Sequence, residues 1–133
     1  MRYLIDTNII TAIMKSNEKV KRRAQETILL GDAIFINGIS YYEIKRGLLA
    51  KDARKQLQFF DQLCKEYGLV LLDNQSIFDR AAGIYAELQR KGELIGDADI
   101  LIAAITYTRN FTLVSDDGDF DKIQGLRVEN WLR

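Results

Sequence analysis

The residues able to do chemistry in this chain are carboxylates, and they fall where its apolar runs end. Asp6 follows Tyr3-Leu4-Ile5, Asp116 and Asp117 follow Thr112-Leu113-Val114-Ser115, and Asp97 and Asp99 open the run from Ile100 to Ile105. Glu43 comes shortly after Ile34-Phe35-Ile36 and Ile39. In open α/β sheets the ligand site lies beyond the carboxyl ends of the strands. Acids collected there repel one another unless a cation joins them, and a hard divalent metal is the usual partner. The chemistry indicated is that of an acidic, magnesium-type site. Local structure offers a competing account of most of these acids. Glu43 stands three residues after Ser40, the spacing of a capping box. Asp97 and Asp99 would sit in the first turn of a helix, where the macrodipole favours anions. Asp116, Asp117 and Asp119 beside Gly118 suit a turn. Asp6 is harder to dismiss, and the coincidence of all four groups at strand ends or helix starts favours one shared site.

Other chemistries are excluded by what is missing. The chain has no histidine, which removes serine triads, Cys-His dyads and histidine-ligated zinc. Cys64 is alone, so neither an internal disulfide nor a cysteine zinc site can form. The nine glycines are scattered and build no phosphate-binding loop.

The elements that must position the acids fit one domain, residues 1–133, with 47% hydrophobic and 29% charged residues and no proline to mark a boundary. No apolar stretch approaches the roughly 20 residues of a membrane span. An acid at position 6 comes too early for a signal peptide, so a cytoplasmic protein is expected. Apolar runs at 2–5, 33–36, 69–72 and 112–115 read as buried strands, with 127–129 as a last edge strand. Between them lie helical patterns: from Thr7 or Asn8 to Met14, over 18–30, from Ser40 to Leu49, over 52–67, from Asn74 or Ser76 to Lys91, and over 97–109. The predicted inner stripe of the long helix is Ile77, Phe78, Ala81, Ala82, Tyr85 and Leu88. Strands alternating with helices predict an α/β fold, a parallel sheet of four to five strands with helices on both faces.

Net charge is zero but unevenly spread. Residues 15–55 hold ten Lys/Arg against five acids, whereas residues 95–121 hold six acids against Arg109 alone. A basic half beside an acidic cluster suits a polyanion gripped by its phosphates, although for any one Lys or Arg a solvated helix face is the better explanation. Lys45, Arg46 and the basic helix around 19–23 are the candidate grips. Tyr41 and Tyr42 could stack on bases, but their setting favours a place in the core.

The chain resembles the PIN-domain ribonucleases along its whole length. Tyr3-Leu4-Ile5-Asp6-Thr7-Asn8 is similar to their first motif and Ile39-Ser40-Tyr41-Tyr42-Glu43 to their second. Ile95-Gly96-Asp97-Ala98-Asp99-Ile100 is similar to the third, and Val114-Ser115-Asp116-Asp117-Gly118-Asp119-Phe120 to the fourth. The tail from Ile123 to Trp131 resembles the ending of VapC-type toxins.

The resemblance implies a metal-dependent endoribonuclease of a toxin–antitoxin pair. Asp6, Glu43, Asp99 and Asp116 become the expected catalytic acids, with Asp97 and Asp119 as further metal ligands. Thr7, Asn8 and Ser115 are expected to support the acids or touch substrate, with Ser115 standing where threonine is commoner. One or two Mg²⁺ or Mn²⁺ ions held by the four acids would orient the attacking water, neutralise charge at phosphorus and stabilise the leaving alkoxide. The implied partners are an RNA substrate, a VapB-type antitoxin and a second copy of the chain. Apolar and aromatic residues in 18–30 and 40–67, among them Tyr41, Tyr42, Leu48, Leu49, Phe59 and Phe60, exceed what one helical stripe needs and are the expected dimer surface. Two other readings share the acids: a nuclease or phosphatase acting on DNA or in RNA processing, and a non-catalytic module binding RNA or a protein.

Overall fold

The computed structural model describes residues 1–133. The elements run β1 (Arg2–Ile5), α1 (Thr7–Met14), α2 (Glu18–Leu29), β2 (Ala33–Asn37), α3 (Gly38–Ala50), α4 (Arg54–Tyr67), β3 (Leu69–Val70), α5 (Gln75–Lys91), α6 (Asp97–Thr108), β4 (Thr112–Val114), a 3₁₀ turn (Gly118–Lys122) and β5 (Val128–Glu129). All strand pairings are parallel, in the order β3-β2-β1-β4-β5. The expected α/β fold is therefore present with five strands.

Alternation along each strand feeds two cores. Tyr3 and Ile5 of β1, Ile34 and Ile36 of β2, and Val114 of β4 point to one face, where they meet α1, α2 and α4. Leu4, Phe35 and Leu113 point to the other, under α5 and α6. A residue shift of one would exchange the two sets, so the register Leu4↔Phe35 and Leu4↔Leu113 is strongly specified. Burial of Ile9, Ile10 and Ile13 fastens α1 to the sheet, each contributing about 1.5–3 kcal/mol.

Several local expectations change. Gly68 (φ 83°) turns the chain out of α4, and the strand expected at 69–72 stops at Val70 because its partner β2 ends at Asn37, opposite Val70, where α3 begins. In α5 the buried stripe is Ile77, Ala81, Ile84 and Leu88, whereas Phe78, Ala82 and Tyr85 are exposed. That stripe repeats every three to four residues and packs on α6, and a helix presents only one such line to a single neighbour. Phe60 is wholly buried, and Tyr41 lies against it with ring centroids 5.6 Å apart. Tyr42 stays 59% exposed with the Arg46 guanidinium over its ring.

The order of strands places a switch point between β1 and β4. From β1 the chain winds outward through β2 to β3, then returns to the other side of β1 for β4. Crevices at such points, beyond the strands' carboxyl ends, are where open α/β sheets bind ligands. Asp6 and Ser115 are the residues that leave the sheet there.

Candidate active site

Asp6 ends β1 and starts α1 with its backbone. Its N–H bonds Val114 O at 3.1 Å, while its own carbonyl accepts from Ile9 and Ile10. Thr7 and Asn8, the expected caps, lie inside the helix, and Asp6 occupies the cap position without using its side chain for it. The carboxylate is thus free for another role although only 5% of the residue is exposed. Burial pushes its pKa up. Ser115 Oγ, donating to Oδ2 at 2.6 Å, and the amides of Thr7 and Asn8 pull it back.

Glu43 is released from the role that local spacing gave it. Helix α3 begins at Gly38, two residues earlier than expected, and its cap is Asn37, whose Oδ1 accepts from Ser40 N at 2.8 Å. The capping box between Ser40 and Glu43 therefore does not form. Asn37 Nδ2 instead donates to Ile5 O at 3.0 Å and to Ser40 Oγ at 2.9 Å. Ser40 Oγ lies 2.8 Å from Thr7 Oγ1, which lies 2.8 Å from Glu43 Oε1. Thr7 has one hydroxyl proton and the Glu43 carboxylate can only accept, so across the Ser40–Thr7 contact it is Ser40 that donates. The proton of Thr7 is then left for Glu43. A one-way chain of donors thus orients the Glu43 carboxylate into the cleft. Sequence reading passed over Asn37; its signal is a polar residue closing an apolar strand immediately before a helix.

The loop after β4 decides the remaining acids. Asp116 N donates to Asn8 Oδ1 at 3.2 Å and Asp117 N to Ser115 Oγ at 3.0 Å, so Asn8 and Ser115 hold the loop's backbone. Adjacent side chains then diverge. Asp116, expected as the fourth acid, turns towards the C-terminal tail, accepting from Asn130 Nδ2 at 2.6 Å with Arg133 Nε at 3.6 Å. Asp117 faces the cleft in its place, with Asp6, Thr7, Asn8, Thr11, Glu43 and Asp99. It also caps the 3₁₀ turn by accepting from Asp119 N at 2.9 Å.

Carboxylate oxygens of Asp99, Asp117 and Asp119 lie within 4.8 Å of one another. Asp119 also pairs with Lys122 at 3.2 Å. Asp97 is exposed at the first turn of α6 and lies outside this group. Lys45 and Arg46 do not reach the cleft either: Lys45 pairs with Asp61 at 3.1 Å and Arg46 covers Tyr42. No cation lines the cleft. Burial, then the charges of Asp117, Asp6, Asp119 and Glu43, push Asp99 up to about 6. An all-oxygen donor set whose negative charge is offset only by Lys122 on Asp119 fits a hard divalent ion and suits no soft metal. Asp99, Asp117 and Asp119 are placed to hold it, with Asp6 and Glu43 across the cleft.

The sequence matches the PIN domain over residues 3–126. It is 27% identical to ribonuclease VapC1 of Haemophilus influenzae over the full length of both chains. Against ribonuclease VapC1 of Methanocaldococcus jannaschii it is 32% identical, covering 96% of this chain and 86% of that one. Among solved structures, VapBC2 of Rickettsia felis bound to a promoter DNA fragment superposes with a TM-score of 0.89 at 25% identity, covering 98% of this chain and 99% of that one. With its acids at the switch point of the sheet and this match along nearly its whole length, the chain belongs to the PIN-domain family of nucleases.

Proposed function

We propose that this chain is a metal-dependent endoribonuclease and the toxin of a VapBC-type toxin–antitoxin pair. The observation that carries the reading is the cleft itself, where Asp6, Glu43, Asp99 and Asp117 converge without a neutralising side chain. Mg²⁺ or Mn²⁺ bound there would supply charge neutralisation at the scissile phosphate and a polarised water. The protein's share is orientation. Ser115 donates to Asp6 and so opposes the rise that burial imposes on its pKa, Thr7 directs Glu43, and Asn8 fixes the backbone that carries Asp117. Oriented acids in a partly buried cleft need no reorganisation when the phosphodiester arrives.

The names of the relatives support RNA as substrate, and the VapBC2 assembly of the Rickettsia felis neighbour supports an antitoxin partner. No helix is long and apolar enough to cross a membrane. A cytoplasmic site of action fits an RNA target and the single free cysteine. The full chain should cleave single-stranded RNA with Mg²⁺ or Mn²⁺, stop on chelation, and lose cleavage on Asp99→Asn. Equal cleavage of DNA of the same sequence would make it a general nuclease. Binding of RNA without metal-dependent cleavage would make it a non-catalytic module. Expression without a partner should arrest growth, and Asp6→Ala should relieve the arrest.

A further inference from the structure

A second recess opens directly off the acidic cleft, and Thr7, Thr11 and Glu43 line both. Its volume of about 330 Å³ is at the small end of ligand sites, room for a nucleotide unit but not for a folded element. Beyond the common residues it is lined by Lys15, Lys51 and Gln56 together with Met14, Leu48 and Gly47.

The two lysines differ from the other cations near the site. Lys15 directly follows α1 and Lys51 directly follows α3, so the recess collects two helix C-terminal ends and the lysines that close them. Neither lysine forms a salt bridge. By contrast, Lys45 is paired with Asp61 and Arg54 with Asp52. The cations beside the acid loop, Lys122 and Arg133, are engaged by Asp119 and Asp116. A strand with one phosphate among the acids must leave the cleft, and this recess is the exit that offers unpaired positive charge.

We propose that the recess is a subsite for single-stranded RNA, in which Lys15 and Lys51 bind backbone phosphates adjoining the scissile one and Met14 and Leu48 support the neighbouring base. The proposal rests on the ribonuclease reading and extends it by giving the substrate a direction across the surface. Phosphate contacts position a strand without reading its sequence, so the subsite sets affinity and register. The grip expected at Lys45 and Arg46 moves to these two residues.

The test uses the full chain and a fluorescein-labelled single-stranded RNA of mixed sequence. Binding is followed by anisotropy in chelator over a salt series, and cleavage is followed with Mn²⁺. Lys15→Gln and Lys51→Gln keep the side-chain length and remove the charge. Each should weaken binding several-fold and reduce the slope of log affinity against log salt by about 0.7, the value for one phosphate contact to a single strand. In cleavage the double variant should raise KM about tenfold with kcat within about twofold, the signature of lost uniform binding. Gly47→Leu, where an added Cβ meets no atom within 4 Å, should raise KM in the same way by filling the recess. Lys91→Gln, whose lysine pairs with Glu87 on α5, should change neither quantity. If the lysine variants lower the melting temperature but bind RNA with unchanged affinity and salt slope, the lysines serve only their helix ends and the proposal is overturned. If the wild-type chain binds RNA through these lysines yet never cuts it, the subsite stands and the nuclease reading fails.

Discussion

At the level of single residues, the site is defined by which carboxylates face each other. Asp116 and Asp117 are chemically identical neighbours, yet one is tied to Asn130 and the other lines the cleft. Asp117→Asn should therefore lower kcat about 100-fold or more, at or beyond the upper end of what losing a ligand's supporting partner costs. Asp116→Asn should stay within a few-fold of wild type in the same single-turnover assay. Asp99 gives a prediction in pH. Its folded-state pKa of about 6 lies above the ordinary carboxylate value of 3.8. Between those values the native state holds a proton that the unfolded chain has lost, so stability of the metal-free protein falls as pH rises through that window. The penalty is complete above about pH 6. Asp99→Asn removes it, and because the group is partly exposed the gain is discounted to roughly 1 kcal/mol. Calorimetry in chelator should show the variant melting about 3–5 °C higher at pH 7.5 and no higher at pH 3.5. A shift of the same size at both pH values would place the effect outside titration.

At the level of elements, α3 is the device that delivers Glu43. Its start is fixed by Asn37, which caps the helix and ties β2 to β1 through Ile5 O. Asn37→Ala would strand a buried carbonyl and remove the cap, at a cost of about 2–4 kcal/mol in urea unfolding. Glu43→Gln touches neither bond. It should leave stability within about 0.5 kcal/mol of wild type while weakening Mn²⁺ binding measured by titration calorimetry. A Glu43→Gln variant that unfolds like Asn37→Ala would make Glu43 part of the helix start after all. Helix α1 works with α3, since Thr7 carries the proton that Glu43 receives.

At the level of the whole molecule, the apolar surface points to self-association. Leu29, Leu30, Tyr42, Leu49 and Phe59 are exposed, whereas Phe60 is buried within the monomer and does not contribute. Within the two stretches read from the sequence the exposed surplus lies at α2, α3 and α4, while Leu71, Phe78, Tyr85 and Leu94 are exposed outside them. Sedimentation at micromolar concentration should give a species of twice 15.3 kDa, and Leu49→Asp should shift it towards monomer. A wild-type chain that sediments as a monomer at that concentration would contradict dimerisation.

Local signals were enough for the fold. Short continuous apolar runs made Tyr3–Ile5 and Ile34–Ile36 strands, and the spacing of Ile77, Ala81 and Leu88 made a helix, because hydrophobic patterning is a property of neighbouring residues. Asp6, Glu43 and Asp99 stood out where such a run stops or a helix pattern begins, but it was the resemblance to the PIN-domain ribonucleases that gave them a catalytic role. What the sequence could not decide was direction. Successive side chains in a loop point apart, and whether Asp116 or Asp117 faces inward depends on Asn8, Ser115 and Asn130, residues brought together only when β1, β4 and the tail assemble. Asn37 was invisible as a positioning residue because its partner carbonyl, Ile5 O, is 32 residues away in the chain and adjacent only across the sheet. Lys15 and Lys51 were only two of the ten cations in residues 15–55 until α1 and α3 packed side by side. Periodicity is written locally, whereas the partner of a hydrogen bond or the wall of a cleft is chosen by the register of distant strands.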